Sequence, residues 1–359
     1  MAALRVGIIG CGRLRRTEGA TGFGMAHAHA RGYEASADAE IVALADINLE
    51  NARAFQQEHA VPDVEQRLYT DYHEMLAQEA LDMVSITTWP HLHAEMVIAA
   101  AEAGVRAIHC EKPMAPTFGE AKRMTQVCAE RGVQLTFNHQ RRFGTPFRRA
   151  RELLRDGAIG ELLRIEAHCS NMYDWGTHWF DMMFFYNDET PVEWVIGQID
   201  SRDGQRIFGV PVEGQGISHF RYQNGVYGLL ITGSKTALEA SNRLVGTEGI
   251  IEVGHSAEVP LRLWNADTAG WQAVDTGAGL HGDDYVRIAV LDAIDALQTG
   301  REPELSARKA LQATELIFAT YESSRRRGRV DLPLDVEDSP FLAMLTAGDM
   351  IGNYEEAVF

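Results

Sequence analysis

Over the first 140 or so residues, short β-branched runs alternate with longer alanine-rich stretches whose apolar positions recur at helical spacing. That alternation is how βαβ units and a parallel sheet look in sequence. It predicts strands at Arg5–Gly10, Ile41–Asp46, Met83–Thr88, Arg106–Cys110 and Gln134–Asn138, with helices at Gly24–Ala35, Leu49–Glu58, His91–Ala103 and Thr117–Arg131. Gly104 and Gly132 stand where a helix needs a left-handed residue to stop. From about Phe143 the pattern changes. One helix, Pro146–Arg155, precedes strand-like runs at Leu162–Cys169, Glu193–Ile199, Gly216–Tyr222, Val226–Gly233 and Gly249–Val253. Their alternation of apolar and polar positions suits a mostly antiparallel sheet with one open face. Helical segments at Tyr285–Leu297 and Ala307–Arg325 close this second region. The chain therefore reads as α/β, with a doubly wound parallel sheet over 1–142, an α/β domain with a large open-faced sheet over 143–336, and a tail over 337–359. In the tail, Phe341, Leu342, Met344 and Leu345 suit either a clip onto a neighbouring subunit or a frayed terminus.

Composition narrows the class. A length of 359 residues fits two domains, and 45% hydrophobic with 23% charged residues is ordinary for a globular protein. No stretch approaches the ~18 apolar residues of a membrane span. The chain enters its first strand within a few residues, and Arg15-Arg16 is followed by Thr17-Glu18-Gly19-Ala20 instead of an apolar run. Neither a signal peptide nor a twin-arginine signal is read, so the expected location is cytoplasmic. Cys11, Cys110, Cys128 and Cys169 are far apart and unpaired by any CxxC spacing, which predicts buried thiols with no zinc site or disulfide framework. A net charge of −18 opposes nucleic acid and anionic membrane as partners. It leaves room for a small ligand held in a local pocket.

One such pocket is written near the start. Gly7-Ile8-Ile9-Gly10-Cys11-Gly12 leaves a strand and enters a glycine turn, as required where backbone N–H groups approach a pyrophosphate. The next glycine of a Rossmann fingerprint, Gly24, follows only after eleven residues, Arg13 to Phe23, so the motif is read as split by an insertion over 13–23. Lengthening a surface loop costs only about 0.6 kcal/mol per doubling. Asp46 ends the second strand 36 residues after Gly10, or 25 once the insertion is removed, near the usual ~20. A carboxylate there accepts hydrogen bonds from the adenosine ribose and repels a 2′-phosphate, which favours NAD over NADP; an ordinary helix N-cap is the plainer alternative. Arg13, Arg15 and Arg16 are either solvated or reach the cofactor phosphates, and contact with a 2′-phosphate would weaken the preference for NAD.

Further along, Ser85-Ile86-Thr87-Thr88-Trp89-Pro90-His91-Leu92-His93, Glu111-Lys112-Pro113, Asn138-His139-Gln140-Arg141-Arg142-Phe143, the run from Asp174 through His178 to Asp181, and Arg329-Val330-Asp331-Leu332-Pro333-Leu334 recur together. In these stretches, and over nearly its whole length, the chain resembles the Gfo/Idh/MocA oxidoreductases. The resemblance implies a Lys-Pro bond, often cis, that aims Lys112 into a cleft, with Asp174 and His178 arriving from the second domain. It also implies Thr88, His93 and Glu111 beside the cofactor, Arg142 and Tyr173 facing the substrate (with an interdomain salt bridge and a packed ring as the equally open alternatives for these two), and a sugar, glycoside or cyclitol as that substrate. The insertion and Trp89, where small residues or proline are usual, depart from the pattern.

Elementary chemistry assigns roles. Oxidising a secondary alcohol requires removal of the hydroxyl proton as hydride leaves, and an imidazole with a pKa of about 6.5 suits neutral pH. Lysine starts about three units too high, a gap of roughly 4 kcal/mol at ~1.36 kcal/mol per unit. His178 is therefore read as the base, Lys112 as the group orienting the oxygen and nicotinamide, and Asp174 as a polarising or positioning partner. On a helix beginning near Asp174 the two residues would share a face. His27/His29 and His91/His93 lack a convincing third ligand, so no metal is expected. Trp175, Trp179, Met182, Met183, Phe184 and Phe185 read as helix core. Two other readings stay open: redox-neutral glycoside cleavage through a transient keto-sugar, and a non-catalytic dinucleotide sensor, against which the acid/base set argues. The open sheet face predicts a homodimer or homotetramer.

Overall fold

The structure, a computed structural model, describes residues 3–18, 20, 22–61, 67–233 and 241–352. The N-terminal half runs β1 (Leu4–Ile9), α1 (Met25–Glu34), β2 (Ala39–Ala45), α2 (Leu49–Glu58), β3 (Leu68–Tyr69), α3 (Tyr72–Gln78), β4 (Met83–Ile86), α4 (Pro90–Glu102), β5 (Ala107–Cys110), α5 (Phe118–Arg131) and β6 (Gln134–Phe137). Its six strands pair in parallel in the order β3-β2-β1-β4-β5-β6. The strand order reverses between β1 and β4, and ligands of open α/β sheets bind at such a point, beyond the carboxyl ends of the strands. The strands are buried on both faces, which is why they read as continuous apolar runs: Val6 and Ile8 pack under α1 while Ile9 joins the core on the opposite face. Local stops match the sequence. Thr117 caps α5 by accepting from the Glu120 N–H, and Gly104 and Gly132 take positive φ.

The C-terminal half runs α6 (Thr145–Arg155), β7 (Leu162–Cys169), α7 (Gly176–Tyr186), β8 (Val192–Asp200), β9 (Gln205–Ile207), β10 (Val210–Val212), β11 (Gln215–Tyr222), β12 (Tyr227–Thr232), β13 (Asn242–Gly246), β14 (Gly249–Val253), β15 (Leu261–Asn265), β16 (Gln272–Ala273), α8 (Asp283–Thr299), α9 (Ala307–Arg326), β17 (Val330–Asp331) and α10 (Pro340–Ala347). Nine of these strands form one sheet, β16-β15-β14-β13-β7-β12-β11-β8-β17, antiparallel except for the β7–β12 pair. Its inner face, with Phe220 and Leu230, packs on Phe180 of α7 and Leu316 of α9. The other face carries exposed Ile196, Ile217, Tyr227 and Trp264.

Three findings go beyond the sequence reading. The regions on either side of residue 142 share packed cores: Val290, Ala293 and Ile294 of α8 pack with Ala26, Ala30 and Tyr33 of α1, while Ala307 and Ala310 of α9 join the opposite Rossmann core. The start of the tail is not frayed, because Phe341 of α10 is buried against Tyr321 at 5.3 Å between ring centroids; residues 353–359 lie outside the described residues. The short elements β3, α3, β9, β10 and β13, and β15 to β17, escaped the reading, since two to seven residues carry too little periodicity to register. Among the described residues no helix is long and apolar enough to cross a membrane.

Candidate active site

At the strand-order reversal, a cavity of about 560 Å³ opens between the halves, lined by Gly10, Gly12, Gly24, Thr88, Glu111 and Lys112 on one side and by Asp174 and His178 on the other. Its floor is the glycine turn. Gly10 has φ +87°, and a Cβ there would meet Thr88 Cγ2 at 2.7 Å; the corresponding side of Gly12 is open space. Gly24 then starts α1 in the left-handed region with no side chain capping the helix. The first-turn N–H groups and the positive end of the helix dipole are thus left for an anion, so these residues fit a dinucleotide diphosphate. The eleven-residue insertion does not displace the cradle. Its residues Arg13, Arg15, Gly22 and Phe23 line a side wall, where Phe23 meets Phe208 of the β9–β10 turn at 6.3 Å and Phe208 in turn lies 6.3 Å from Trp89.

Asp46 lies beside the cradle rather than in the cavity wall. Its Oδ2 accepts from the Gly12 N–H at 2.9 Å, and its Oδ1 accepts from the Asn48 N–H at 2.9 Å and the Asn51 amide at 3.2 Å. Asn51 also accepts from Arg13 Nε at 2.8 Å, which brings that cation next to the carboxylate.

The reactive end is built by contacts from distant parts of the chain. The Lys112–Pro113 peptide is cis, and Lys112 Nζ donates to Asp174 Oδ1 at 2.6 Å. Glu111 lies behind it, accepting from Asn138 at 2.7 Å, bonded to His29 at 2.9 Å and to the Lys112 N–H at 3.2 Å. Burial alone would raise the Glu111 carboxyl; the His29 hydrogen bond and charge, with Asn138 and Lys112, overcome it and hold the carboxyl at about 2. His178 enters on the first turn of α7. Burial pushes its imidazole well below the ordinary value, and the positive charges of Lys112 and Arg141 push it further. Its Nδ1 is buried without a partner. The ring is therefore neutral at neutral pH, with Nδ1 unoccupied.

Asp174 does not sit on the helix with His178, as four-residue spacing suggested. The helix starts at Gly176, and Asp174 belongs to the preceding turn, where its N–H donates to Asn171 Oδ1 at 2.7 Å. That turn is anchored by buried Glu213, which accepts from the Met172 N–H at 2.6 Å, the Tyr321 hydroxyl at 2.7 Å and the Thr232 hydroxyl at 3.0 Å.

Three expected contacts are corrected. His93 is wholly buried and does not line the cavity, bonded through Nδ1 to the Pro113 carbonyl at 3.0 Å and through Nε2 to the Thr88 carbonyl at 3.1 Å, so that it braces the walls. Arg142 is 0% exposed and faces no cavity, because Asp181, Glu189 and Glu304 enclose its guanidinium. Tyr173 is buried in the second-domain core. The wall carries Arg141, Trp175, Phe208 and His281 in their place. Of the aromatic run read as helix core, Trp179, Met182, Met183, Phe184 and Phe185 are buried, whereas Trp175 is half-exposed at the cavity. A lone arginine or a loop histidine carries no spacing signal, so Arg141 and His281 were not separable in the sequence; the adjacency of Trp175 to Asp174 was the one available hint. His27 bonds to His59 at 2.9 Å and His29 to Glu111, and among the described residues no cluster of three metal-ligating side chains occurs.

A glycine cradle on a Rossmann sheet, facing a lysine and a neutral histidine delivered from a second α/β domain, defines a nicotinamide-dependent oxidoreductase. Comparison with known proteins agrees: residues 4–139 match the oxidoreductase-family NAD-binding Rossmann fold and residues 151–332 the oxidoreductase-family C-terminal alpha/beta domain. The chain belongs to the Gfo/Idh/MocA oxidoreductase family. It is 29% identical to the D-apiose dehydrogenase of Paraburkholderia graminis over 95% of this chain and 93% of that protein. It is 29% identical to the NADP-dependent D-xylose 1-dehydrogenase of Haloarcula marismortui over 77% of this chain and 79% of that protein. In fold it is similar to levoglucosan dehydrogenase solved with NADH and levoglucosan, with a TM-score of 0.77 and 23% identity over 92% of this chain and 100% of that chain.

Proposed function

We propose that the protein transfers a hydride between a nicotinamide dinucleotide and a secondary alcohol or ketone of a sugar, glycoside or cyclitol. The observation that carries this reading is the neutral imidazole of His178 facing the same cavity as the Lys112 ammonium and the glycine cradle. When bound, the nicotinamide supplies the hydride acceptor at its C4. The Lys112 ammonium, fixed by Asp174, donates a hydrogen bond to the substrate oxygen and stabilises charge on it as the O–H bond breaks. His178 accepts the hydroxyl proton, so the C–H electron pair leaves as hydride while the C=O bond forms; in reduction the same groups return the proton. Trp89, Trp175 and Phe208 supply apolar faces against which a ring can lie. The relatives' sugar substrates point the same way. Following NADH formation across hexoses, pentoses, glycosides and inositols tests the reading; no turnover by any of them, with dinucleotide bound, would sink it.

NAD is the preferred cofactor on this reading: the Asp46 carboxylate ends β2 beside the glycine cradle, where it would repel a 2′-phosphate, with Arg13 close by through Asn51. Replacing Asp46 with Ser removes the repulsion and leaves the cation. The ratio of kcat/KM with NAD to that with NADP should then fall by roughly 10–100-fold, the effect of about 1.4–2.8 kcal/mol. An unchanged ratio would return Asp46 to a purely structural role.

The open sheet face is proposed as the interface of a homodimer or homotetramer. Ile196, Ile217, Tyr227 and Trp264 expose apolar surface there, and a face of alternating strands can meet its own copy about a two-fold axis. Ile196→Glu with Ile217→Glu should reduce the mass measured by light scattering to that of smaller species at micromolar concentration. The assignment fails if the wild-type chain is already monomeric. Four buried, unpaired thiols suit a reducing compartment.

A further inference from the structure

The cavity contains a buried cation that nothing among the described residues neutralises. Arg141 and Arg142 are sequence neighbours in the turn after β6, and their surroundings are opposite. Arg142 is held by three carboxylates. Arg141 is only 4% exposed, yet among the described residues no carboxylate or hydrogen-bond acceptor engages its guanidinium, and its Nε is buried without a partner. Its guanidinium carbon lies 4.5 Å from the ring centre of Trp179 and 5.4 Å from that of Trp175. These aromatic faces offset part of the desolvation cost but satisfy none of the N–H groups. Burial brings its pKa down to about 10, with only Cys169, Tyr186 and Tyr285 acting in the other direction.

Burying an unpaired charge is costly, and proteins keep one where a ligand completes the pair. Both carboxylates of the cavity wall are committed, Glu111 to His29 and Asn138, and Asp174 to Lys112. Arg141 lines the cavity beside Trp175, His178 and His281, and in a chain of net charge −18 the uncommitted charge at this spot is positive. A planar guanidinium with free N–H groups matches a carboxylate in a two-point contact.

We propose that Arg141 binds an anionic group of the substrate, so that the preferred substrate is an acidic sugar, a uronate or aldonate, rather than a neutral one. The proposal rests on the oxidoreductase reading above and specifies its substrate class. The other anion within reach is the cofactor diphosphate, since Arg141 also borders a recess shared with Arg15, Gly24 and Met25. Substrate is favoured because the glycine turn and α1 already cradle the diphosphate, whereas the wall holding His178 offers no other cation free to pair with a carboxylate among the described residues.

The test compares D-glucuronate, D-galacturonate and D-gluconate with D-glucose and D-galactose as substrates for the wild-type protein and for Arg141→Met, which keeps the length of the stem. NAD affinity is measured in parallel by fluorescence quenching. The wild type should favour the acids, and Arg141→Met should lower the acid-to-neutral ratio of kcat/KM about 10–100-fold while the NAD Kd stays within about threefold. Malonate should inhibit the wild type competitively against sugar, an outcome that needs no variant to fold. Equal use of neutral and acidic sugars, with no malonate inhibition, overturns the proposal and leaves the oxidoreductase reading intact. A tenfold weaker NAD Kd in Arg141→Met with an unchanged acid-to-neutral ratio reassigns the arginine to the diphosphate. No turnover of any sugar, acidic or neutral, overturns both.

Discussion

His178→Asn should lower kcat for sugar oxidation by roughly 10²–10⁴-fold, the span that a positioned general base contributes, while the NAD Kd stays near its wild-type value. At ~1.36 kcal/mol per decade this is about 3–5 kcal/mol of transition-state stabilisation. The asparagine retains shape and a donor but accepts no proton at neutral pH. The pH dependence supplies an independent reading of the same residue. Burial first, and then the charge of Lys112, depresses the His178 pKa, so the neutral, proton-accepting form persists as pH falls below 6.5 and is lost only near the depressed value. The acid limb of kcat/KM should therefore fall well below pH 6.5 in the wild type and vanish in His178→Asn. Lys112→Met removes one of the charges that depress the imidazole, so its residual activity should show an acid limb moved upward. Wild-type-like turnover in His178→Asn, or an acid limb at 6.5 or above in the wild type, would remove His178 from the chemistry.

Arg142→Met should cost about 3–5 kcal/mol of stability, read as a lower urea midpoint. Arg142 is wholly buried, donating to Asp181 through Nε and Nη2 at 2.8 Å each, to Glu189 at 2.5 Å and to Glu304 at 3.1 Å. Methionine fills much of the volume but leaves Asp181, itself buried, without its counter-charge. The control is Arg149→Met, which removes an exposed pair with Glu152 three residues on along α6 and should change stability by no more than about 0.5 kcal/mol. A loss of under 1 kcal/mol at Arg142 would mean that the carboxylates find water or protons when the guanidinium is gone. The contrast with Arg141 is then direct: one arginine is required by the fold and its neighbour by the ligand.

Local pattern and motif carried the sequence reading a long way. Apolar runs of four to seven residues set β1, β2, β4, β5 and β6 because parallel strands are buried on both faces, and the ends of α4 and α5 were marked by the glycines that follow them. Gly10, Gly12, Gly24, Glu111, Lys112, Asp174 and His178 were named from motifs and from the family resemblance; all line the cavity, with Asp174 in the turn before α7 instead of on the helix. These are the parts whose determinants lie within a few residues of one another: periodicity, glycine turns, helix signals.

The tertiary structure alone decided which of two adjacent arginines meets the cavity. Arg142 is claimed by Asp181, Glu189 and Glu304, at 39, 47 and 162 residues' separation, and no local rule weighs such partners. The same holds for His93, captured by a carbonyl 20 residues on, and for the docking of α8 on α1. It holds again for the pKa of His178, which follows from burial and from charges supplied by Lys112 and Arg141. A sequence specifies which groups are available, and burial by distant segments determines which of them are neutralised, which are desolvated and which are left to meet a ligand.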